Sequence, residues 1–301
     1  FANAGMQKAI KQFPGLSGKP IQDPQIDTHG IQDLTEAAQA GYGLIIDLDF
    51  GTLDNLNQVA AKFPNTSFVF VDGVAKGSNV TNAVFNVQNS SYLCGMVAAM
   101  AVDNPAVNKT GKKIIGAVGG AKSPGIDQFL AGYQQGAQAV DPKIKVLMAY
   151  ANNFADPTIG AELANAMFDQ GALVVYQVAG VTGLGVIKAA SQRGLYAIGV
   201  DSDQDGLAPG HVLTSSIKRT DTAVYDVISD YAQGKLPGGQ TVYYDLPNGV
   251  GITNMQYTKS LFTAADLAKL QKTESDIESG ALKVWNVPTQ GYPPWFDKGT
   301  S

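Results

Sequence analysis

The chain has 301 residues, which is enough for two compact domains with cores of their own. Hydrophobic residues make up 45% and charged residues 16%, and a net charge of −5 without an extended Lys/Arg cluster argues against a nucleic-acid partner. A single cysteine, Cys94, and two histidines exclude a disulfide framework and a thiolate metal site, and no hydrophobic run approaches the ~18 residues that span a bilayer.

Short apolar runs alternate with helical patterns along most of the chain. The apolar runs predict strands at 41–50, 67–73, 82–87, 114–120, 145–150, 173–180, 195–201 and 211–216. Helix-periodic runs lie at 53–63, 90–102, 123–140, 156–171 and 182–194. Strands without polar alternation are buried on both faces, and parallel strands need helical crossovers. The sequence therefore predicts an α/β protein with parallel sheets covered by helices on both faces.

About ten strands suit two doubly wound sheets of about five strands each better than one open sheet. We expect the chain to cross between two lobes near 87–90, 214–217 and 245–249. The predicted amino-terminal lobe takes residues 1–88 and 217–245, and the carboxyl-terminal lobe takes 89–216 and 246–301. The tail from residue 284 onward is Pro- and aromatic-rich, which predicts an irregular wrap in which Trp285, Trp295 and Phe296 pack on the second lobe.

The residues that directly follow the predicted strands form the candidate ligand site. They are Asp47-Leu48-Asp49-Phe50, Asn152-Asn153-Phe154, Gly180, Asp201 and Lys218. Ligands of such folds bind outside the carboxyl ends of the strands, at one edge of the sheet. We therefore expect all of these loops to open on one cleft between the lobes.

Each candidate residue also has an alternative role. Phe154, which has polar neighbours, either stacks on a ligand or packs on its own lobe. Gly180 opens a glycine-rich loop that lets a ligand approach backbone N–H groups, although this motif is weak. Asp201 either accepts hydrogen bonds from a vicinal diol or caps a helix. Lys218 donates to a sugar hydroxyl, pairs with Asp201, or is an ordinary solvated lysine.

The segment AIGVDSDQDG at 197–206 begins like the calcium loop of an EF-hand, with alternating aspartates before Gly206. The twelfth position of such a loop is a glutamate, whereas Val212 stands here. The run before the loop is a predicted strand rather than a helix. These two differences argue against a calcium site.

No catalytic arrangement is visible in the sequence. No serine has a histidine partner in an elbow motif, no phosphate-binding loop is present, and His29 and His211 lie outside the strand-end loops. We therefore expect a protein that is not an enzyme and that holds no cofactor or metal.

Four segments resemble, in order and spacing, the basic membrane protein family of substrate-binding lipoproteins. They are 114–142, 152–190, 198–204 and 213–219, and the resemblance runs from about Phe1 to Lys218, with weaker similarity from there to the carboxyl end. This family is the purine-nucleoside-binding branch of the type I periplasmic-binding-like proteins that feed ABC importers. The pairing of GVDSDQ with TSSIKR is the most specific part of the resemblance.

The resemblance implies a role for each candidate residue. In the family a purine base lies between two phenylalanines, which correspond here to Phe154 and Phe1. The backbone contact of the family's glycine falls on Gly180, its ribose-binding aspartate on Asp201, and its lysine on Lys218.

The chain departs from the family pattern in three places, one of which is Asn89-Ser90, where relatives carry Glu-Gly. The family's first strand and its acidic D-D-K-S segment are absent ahead of Phe1, and we expect that they were removed, because loss of a central strand would expose two pairing edges. Where relatives carry glycines the chain has Asp47-Leu48-Asp49 before Phe50, so a carboxylate is expected at the ligand, with Asp49 and Phe50 as candidate contacts.

The resemblance implies an extracytoplasmic solute receptor that closes by a hinge around a nucleoside-like ligand and delivers it to the permease of an ABC transporter. Its only membrane contact would be a lipid anchor that is not part of this chain. The chain opens at Phe1 without a signal peptide, so we expect a mature or trimmed form. Two alternatives stay open: a receptor of the same fold for a sugar, riboflavin or another polar solute, and the effector domain of a transcription regulator.

Overall fold

A computed structural model describes residues 2–23 and 26–296. Within these ranges the chain divides into two compact units. The first unit takes the chain up to Phe85 together with Arg219–Tyr244, and the second takes Asn86–Lys218 and the residues from Asp245 onward. The sequence predicts the corresponding borders at residues 88, 216 and 245. The division into two lobes with these borders stays a prediction.

Helices and strands alternate along most of the chain. The helices are Ala2–Gln12 (α1), Ile26–Gln39 (α2), Leu53–Lys62 (α3), Val87–Asp103 (α4), Pro124–Val140 (α5), Pro157–Gln170 (α6), Gly183–Gln192 (α7), Thr220–Ala232 (α8), Ala264–Glu278 (α9) and Val287–Gln290 (α10). The strands are Leu44–Asp47 (β1), Ser67–Val71 (β2), Val80–Phe85 (β3), Ile114–Gly119 (β4), Lys145–Tyr150 (β5), Val174–Val178 (β6), Tyr196–Asp201 (β7), Val212–Lys218 (β8), Thr241–Tyr244 (β9) and Val250–Ile252 (β10). In the described residues, no helix is both long enough and apolar enough to cross a bilayer.

The first unit is built on a parallel sheet with the described strand order β1-β2-β3-β9. Helix α3 packs Leu56 and Val59 against Phe68 and Phe70 of β2, which explains why its apolar residues repeat at helical spacing. Strand β1 lies at one edge of this sheet.

The second unit is built on a larger sheet with the described order β10-β8-β7-β6-β4-β5. Strands β4 to β8 are parallel, and β10 pairs antiparallel with β8. Helix α4 is buried from Val87 to Val102 and packs closely against α5, as expected for a helix that is apolar all round. An added Cβ at Gly95 would lie 2.0 Å from the carbonyl oxygen of Tyr133, so glycine is what allows these helices to approach so closely.

Most of the predicted elements are present, and two of the differences lie at the borders of the units. The predicted strand at 82–87 ends at Phe85, because α4 begins two residues later. The predicted crossing at 245–249 contains no strand. The described sheets have four and six strands instead of about five each. Helices α2 and α9 are not among the predicted elements, although a capping box of Thr263 and Asp266 marks the start of α9.

The carboxyl-terminal tail packs on α5, and it contains the helical turn α10 within the predicted irregular wrap. Phe296 is buried, and the carbonyl of Trp295 accepts a hydrogen bond from Gln134 at 3.0 Å. The backbone N–H of Trp285 donates to Gln135 at 3.0 Å. These contacts hold the tail to the second unit.

Candidate functional site

The carboxyl ends of five adjacent parallel strands line one edge of the six-stranded sheet. In sheet order β8, β7, β6, β4 and β5, the residues at or just beyond these ends are Lys218, Asp201, Gly180, Gly120 and Phe154. Neighbouring strands lie about 4.8 Å apart, so residues from distant parts of the sequence are brought into one row. Four of these five residues are predicted from the sequence, and Gly120 is not.

The loop after β5 holds Phe154 in a fixed place. The side chain of Asn153 accepts hydrogen bonds from the backbone N–H groups of Ala155 and Asp156 at 2.7 and 3.1 Å. Asp156 in turn accepts from the N–H of Thr158 at 2.8 Å and caps α6. Phe154 therefore sits in a short loop that polar side chains fix at both ends.

Two glycines allow Phe154 to bend over the end of β4. The ring occupies the space beside Gly120, where an added Cβ would lie 2.1 Å from Cε1 of Phe154. The carbonyl of Phe154 accepts a hydrogen bond from the N–H of Thr182 at 3.2 Å. Gly180 has a φ of 57°, a backbone conformation that favours glycine, and it lies against the Phe154 carbonyl. The pair Gly119-Gly120 after an apolar run is the sequence signal that could have identified Gly120.

Asp201 ends β7 in an unusual backbone conformation. Its φ is 64°, and the N–H of Ser202 donates to the carbonyl of Val200 at 2.7 Å, which makes a γ-turn centred on Asp201. Turns of this kind are rare and strained, and such strain is often found at functional sites. The alternative that Asp201 caps a helix is wrong, because the next helical turn begins at Asp205 with Gln204 in the capping position.

Lys218 lies beside Asp201 on the neighbouring strand. Its Nζ is 3.7 Å from Oδ1 of Asp201, and the side chains are 18% and 52% exposed, respectively. The register places Asp201 opposite Ile217, one residue before Lys218. A cation and an anion thus stand at the same point of the edge, with the carboxylate largely open to a ligand. Together they offer a donor and an acceptor to adjacent hydroxyl groups.

A buried polar network supports the loop behind Asp201. The side-chain oxygen of Gln204 accepts from Nε2 of Gln177 at 2.7 Å and from the N–H of Val200 at 3.0 Å. The N–H of Gln204 donates to Oγ of Ser215 at 3.1 Å. This network connects β6, β7 and β8, so the loop that carries Asp201 is fixed from beneath.

Asp205 anchors the same loop. It is 1% exposed, and its Oδ1 accepts a hydrogen bond from Ser215 at 2.8 Å. Asp203 shapes the turn by accepting from the N–H of Asp205 at 3.0 Å. In the part of the chain that the structure describes, no three His, Cys, Asp or Glu side chains are grouped so that they could hold a metal ion. Asp203 and Asp205 therefore stabilise the loop after β7 through hydrogen bonds within it and to β8.

Burial raises the pKa of Asp205 above its ordinary value, and this shift makes a pH-dependent contribution to stability. Between the unfolded-state pKa of about 3.9 and the raised folded-state pKa, the folded protein binds the proton more tightly, so this group stabilises the fold as pH falls. We therefore expect the free energy of unfolding of Asp205→Asn, relative to wild type, to be most positive at neutral pH. This difference should decrease progressively towards pH about 4. Urea denaturation across this range measures the effect, with Asp203→Asn as a charge-matched control. A difference between Asp205→Asn and wild type that does not vary with pH would contradict it.

In the first unit, the carboxylates after β1 are used to build a turn. Asp47 is buried, and its two oxygens accept from Oγ1 of Thr52 at 2.6 Å and from the N–H of Asp49 at 3.0 Å. Burial raises the pKa of Asp47, and the Thr52 hydrogen bond partly offsets that effect. Asp49 accepts from the N–H of Gly51 at 2.8 Å and caps a short 3-10 helix. Because Asp47 is buried and Asp49 is only partly buried, Asp49 is the carboxylate of this loop that is expected to contact a ligand.

Two predicted ligand contacts cannot be placed. Phe1 and the side chain of Phe50 lie outside the part of the chain that the structure describes. The backbone of Phe50 begins the 3-10 helix that Asp49 caps.

Comparison with known proteins gives consistent matches. Residues 2–285 match the family model described as Bmp, ABC transporter substrate-binding protein PnrA-like. The chain is 36% identical over 269 residues to the ABC transporter nucleoside-binding protein BmpA of Lactococcus lactis, a match that covers 82% of this chain and 72% of that protein. It is 30% identical over 291 residues to basic membrane protein D of Borreliella burgdorferi, covering 94% and 83% of the two chains. A solved ABC transporter system solute-binding protein from Aeropyrum pernix K1 superimposes with a TM-score of 0.86 at 26% identity, covering 95% of this chain and 88% of that one.

Proposed function

The chain belongs to the Bmp family of PnrA-like ABC transporter substrate-binding proteins, and from that premise we propose that its ligand is a nucleoside or a close relative of one. The fold is the type I periplasmic-binding-protein-like α/β fold, as predicted from the sequence. The observation that carries the proposal is the row of residues at one sheet edge, where an aromatic ring, an exposed glycine backbone and a carboxylate–ammonium pair lie on adjacent strands.

The chemistry of this row suits a base joined to a sugar. Phe154 offers an aromatic face on which a base can stack, a contact worth about 1–3 kcal/mol. Asp201 can accept two hydrogen bonds from a vicinal diol, and Lys218 can donate to a neighbouring oxygen. A bond of this charge-assisted kind contributes about 1.5–3 kcal/mol. BmpA, the relative from Lactococcus lactis, is described as nucleoside-binding, which supports the same class of ligand.

The rest of the proposal concerns the transport role. The protein acts outside the cytoplasm as a receptor, held at the membrane through a lipid anchor, and delivers its ligand to an ABC permease. Ligand binding favours a closed state by hinge motion, with Asp49 and Phe50 adding contacts from the first unit. Small-angle X-ray scattering with and without ligand tests this closure, and an unchanged radius of gyration would exclude it. The receptor releases its ligand unaltered, so incubation with inosine should yield no free base.

The direct experiment identifies the ligand and tests the site together. Native mass spectrometry of the protein as purified would reveal a retained small molecule. Isothermal titration calorimetry with inosine, guanosine, adenosine, uridine, ribose and riboflavin then ranks the ligand classes. We expect a nucleoside to bind most tightly; if ribose or riboflavin ranks first, the proposed ligand class is wrong.

Asp201→Asn is expected to raise the dissociation constant of that nucleoside about tenfold. Asparagine tolerates the left-handed backbone of the γ-turn, so the substitution removes the charge and leaves the loop in place. The loss of charge assistance is worth about 1.4 kcal/mol, which corresponds to that tenfold change. Asp203→Asn removes the same charge from the same loop while keeping its oxygen acceptor for the N–H of Asp205, and should leave affinity within about twofold. Equal dissociation constants for wild type and Asp201→Asn would remove Asp201 from the site.

A further inference from the structure

A buried carboxylate joins the carboxyl-terminal tail to the strand that leads into the Phe154 loop. Asp127, in the first turn of α5, is 0% exposed. Its Oδ2 accepts a hydrogen bond from the hydroxyl of Tyr292 in the tail at 2.7 Å. Its Oδ1 accepts one from the hydroxyl of Tyr150, the last residue of β5. One side chain thus connects two segments that are far apart in the sequence.

The charges of these three groups fit their roles as donors and acceptor. Burial, together with the hydrogen bond to the Asp127 carboxylate and its charge, raises the pKa of Tyr292 to about 12, so the hydroxyl stays protonated and donates at neutral pH. The first turn of a helix is also the place where the helix dipole favours a negative charge. Each oxygen of Asp127 therefore has a donor, one from the tail and one from β5.

Stability alone does not account for a carboxylate at this place. Burying a carboxylate is costly even when it is hydrogen-bonded, and apolar side chains of similar size commonly give equal or greater stability. A buried polar group with satisfied hydrogen bonds instead fixes the geometry of the groups that it bonds. We infer that Asp127 fixes the positions of two tyrosine rings.

The Tyr150 ring in turn lies at the start of the loop after β5. It packs on Gly119 at the end of β4, where an added Cβ would lie 2.9 Å from Cδ1 of Tyr150. The residues that follow bond to the same end of β4. The N–H of Ala151 donates to the carbonyl of Gly119 at 2.8 Å, and the N–H of Asn153 donates to that of Gly120 at 2.9 Å. The position of the Tyr150 ring therefore sets the course of this loop.

The tail presents the Tyr292 hydroxyl from a fixed place. The rings of Tyr292 and Phe296 stack with their centroids 5.9 Å apart and an angle of 17° between their planes. Phe296 is buried. The hydroxyl of Tyr292 is thus held in position by the packing of its own ring.

We propose that Tyr292 is a positioning residue for the candidate ligand site. Through Asp127 it holds the Tyr150 ring in place, and the loop that begins there carries Phe154 to its position. The effect on the loop is independent of the ligand, whereas the consequence for affinity rests on the proposed function.

Amide hydrogen exchange of the ligand-free protein tests the effect on the loop. The N–H groups of Ala151 and Asn153 are the reporter amides, because both are bonded to the end of β4. In Tyr292→Phe, which removes one hydroxyl, they should exchange about tenfold faster than in wild type. The amide of Val175, inside β6, should keep its wild-type rate. If the exchange of Val175 is accelerated to the same extent, Tyr292 supports the fold as a whole, and the proposal is wrong.

Gln135→Met is the matched control. Gln135 lies on the same helix as Asp127 and accepts a hydrogen bond from the N–H of Trp285 at 3.0 Å, so this substitution also removes one hydrogen bond between the tail and α5. It leaves Asp127 untouched, and the two reporter amides should exchange as in wild type. Unchanged exchange of the reporter amides in Tyr292→Phe, or equal acceleration in both variants, would overturn the proposal.

Calorimetry with the tightest-binding nucleoside tests the consequence for the site. Tyr292→Phe should raise the dissociation constant about fivefold, as expected for the loss of one hydrogen bond. Tyr150→Phe should have the same effect. Because both hydroxyls act through the one carboxylate of Asp127, the double variant should also bind only about fivefold more weakly than wild type. A loss of about 25-fold in the double variant would mean that the two residues act independently, which contradicts the route through Asp127.

The two measurements can fail separately. A protein that binds no nucleoside would contradict the proposed function, and the exchange rates of the ligand-free protein would still decide whether Tyr292 holds the loop. Faster exchange of the reporter amides without any change in nucleoside affinity would mean that the position of the loop does not matter for the ligand. Tyr292 would then not be a positioning residue.

Discussion

Gly136→Ala is expected to lower the free energy of unfolding of the second unit by about 3 kcal/mol. A Cβ added to Gly136 would lie 1.9 Å from the carbonyl oxygen of Tyr92, which belongs to the backbone of α4. Backbone atoms in the middle of a buried helix cannot move aside as a side chain can, so α4 and α5 would have to separate. Urea denaturation followed by tryptophan fluorescence measures the effect, since both tryptophans, Trp285 and Trp295, belong to the second unit.

Gly125→Ala is the matched control on the same helix. No atom lies within 4 Å of the Cβ that alanine would add there, and the backbone of Gly125 is helical. Alanine is the better helix former, so this substitution should leave stability unchanged or raise it by up to about 1 kcal/mol. If Gly136→Ala and Gly125→Ala have equal effects, the close contact of α4 with α5 does not limit residue size.

Gly120→Ala is expected to weaken ligand binding about fiftyfold with little change in stability. The added Cβ would lie 2.1 Å from Cε1 of Phe154. The atom in the way is the outer part of a half-buried side chain, so the ring can swing out at small cost to the fold. It would then leave the position in which we propose that it stacks on a base, and the loss of about 2.3 kcal/mol corresponds to the stated change in affinity.

Calorimetry with the tightest-binding nucleoside measures this change, and thermal unfolding without ligand measures stability. Gly206→Ala is the control, since it lies in the loop after Asp201 and its added Cβ would meet no atom within 4 Å. It should change neither quantity. An unaltered dissociation constant for Gly120→Ala would mean that the position of the Phe154 ring does not matter for binding.

Much of the fold could be predicted from the sequence because local signals agree with the tertiary structure. Helix α5 begins after Ser123, whose side chain accepts from the N–H of Ile126, and the pattern Ser-Pro followed by an apolar run predicts that start. The sequence does not predict the antiparallel strand β10. It is three residues long, and such a short strand at an edge carries almost no pattern of its own. The pattern of strand β9 is weak for a similar reason, since Tyr243 within it is 55% exposed.

The candidate site was predictable to the extent that topology determines it. Gly180, Asp201 and Lys218 directly end or follow buried strands, and the rule that parallel strands end at one edge was enough to group them. Gly120 could not be found in this way, because its importance arises from the loop after β5 folding across β4. The sequence also cannot show that Asp47 is buried and bonded to Thr52, which leaves the partly buried Asp49 as the more accessible carboxylate of that loop.

The way the two units share the chain has a consequence for biosynthesis. Helix α8 packs on α1, and β9 completes the first sheet, yet both are encoded after the second unit's first segment of about 130 residues. At about 5–20 residues per second, the ribosome needs roughly 7–26 s to make that segment. During this interval the early strands have no partner for part of their apolar surface. The nascent chain should therefore be a good client for holding chaperones until residue 244 has emerged.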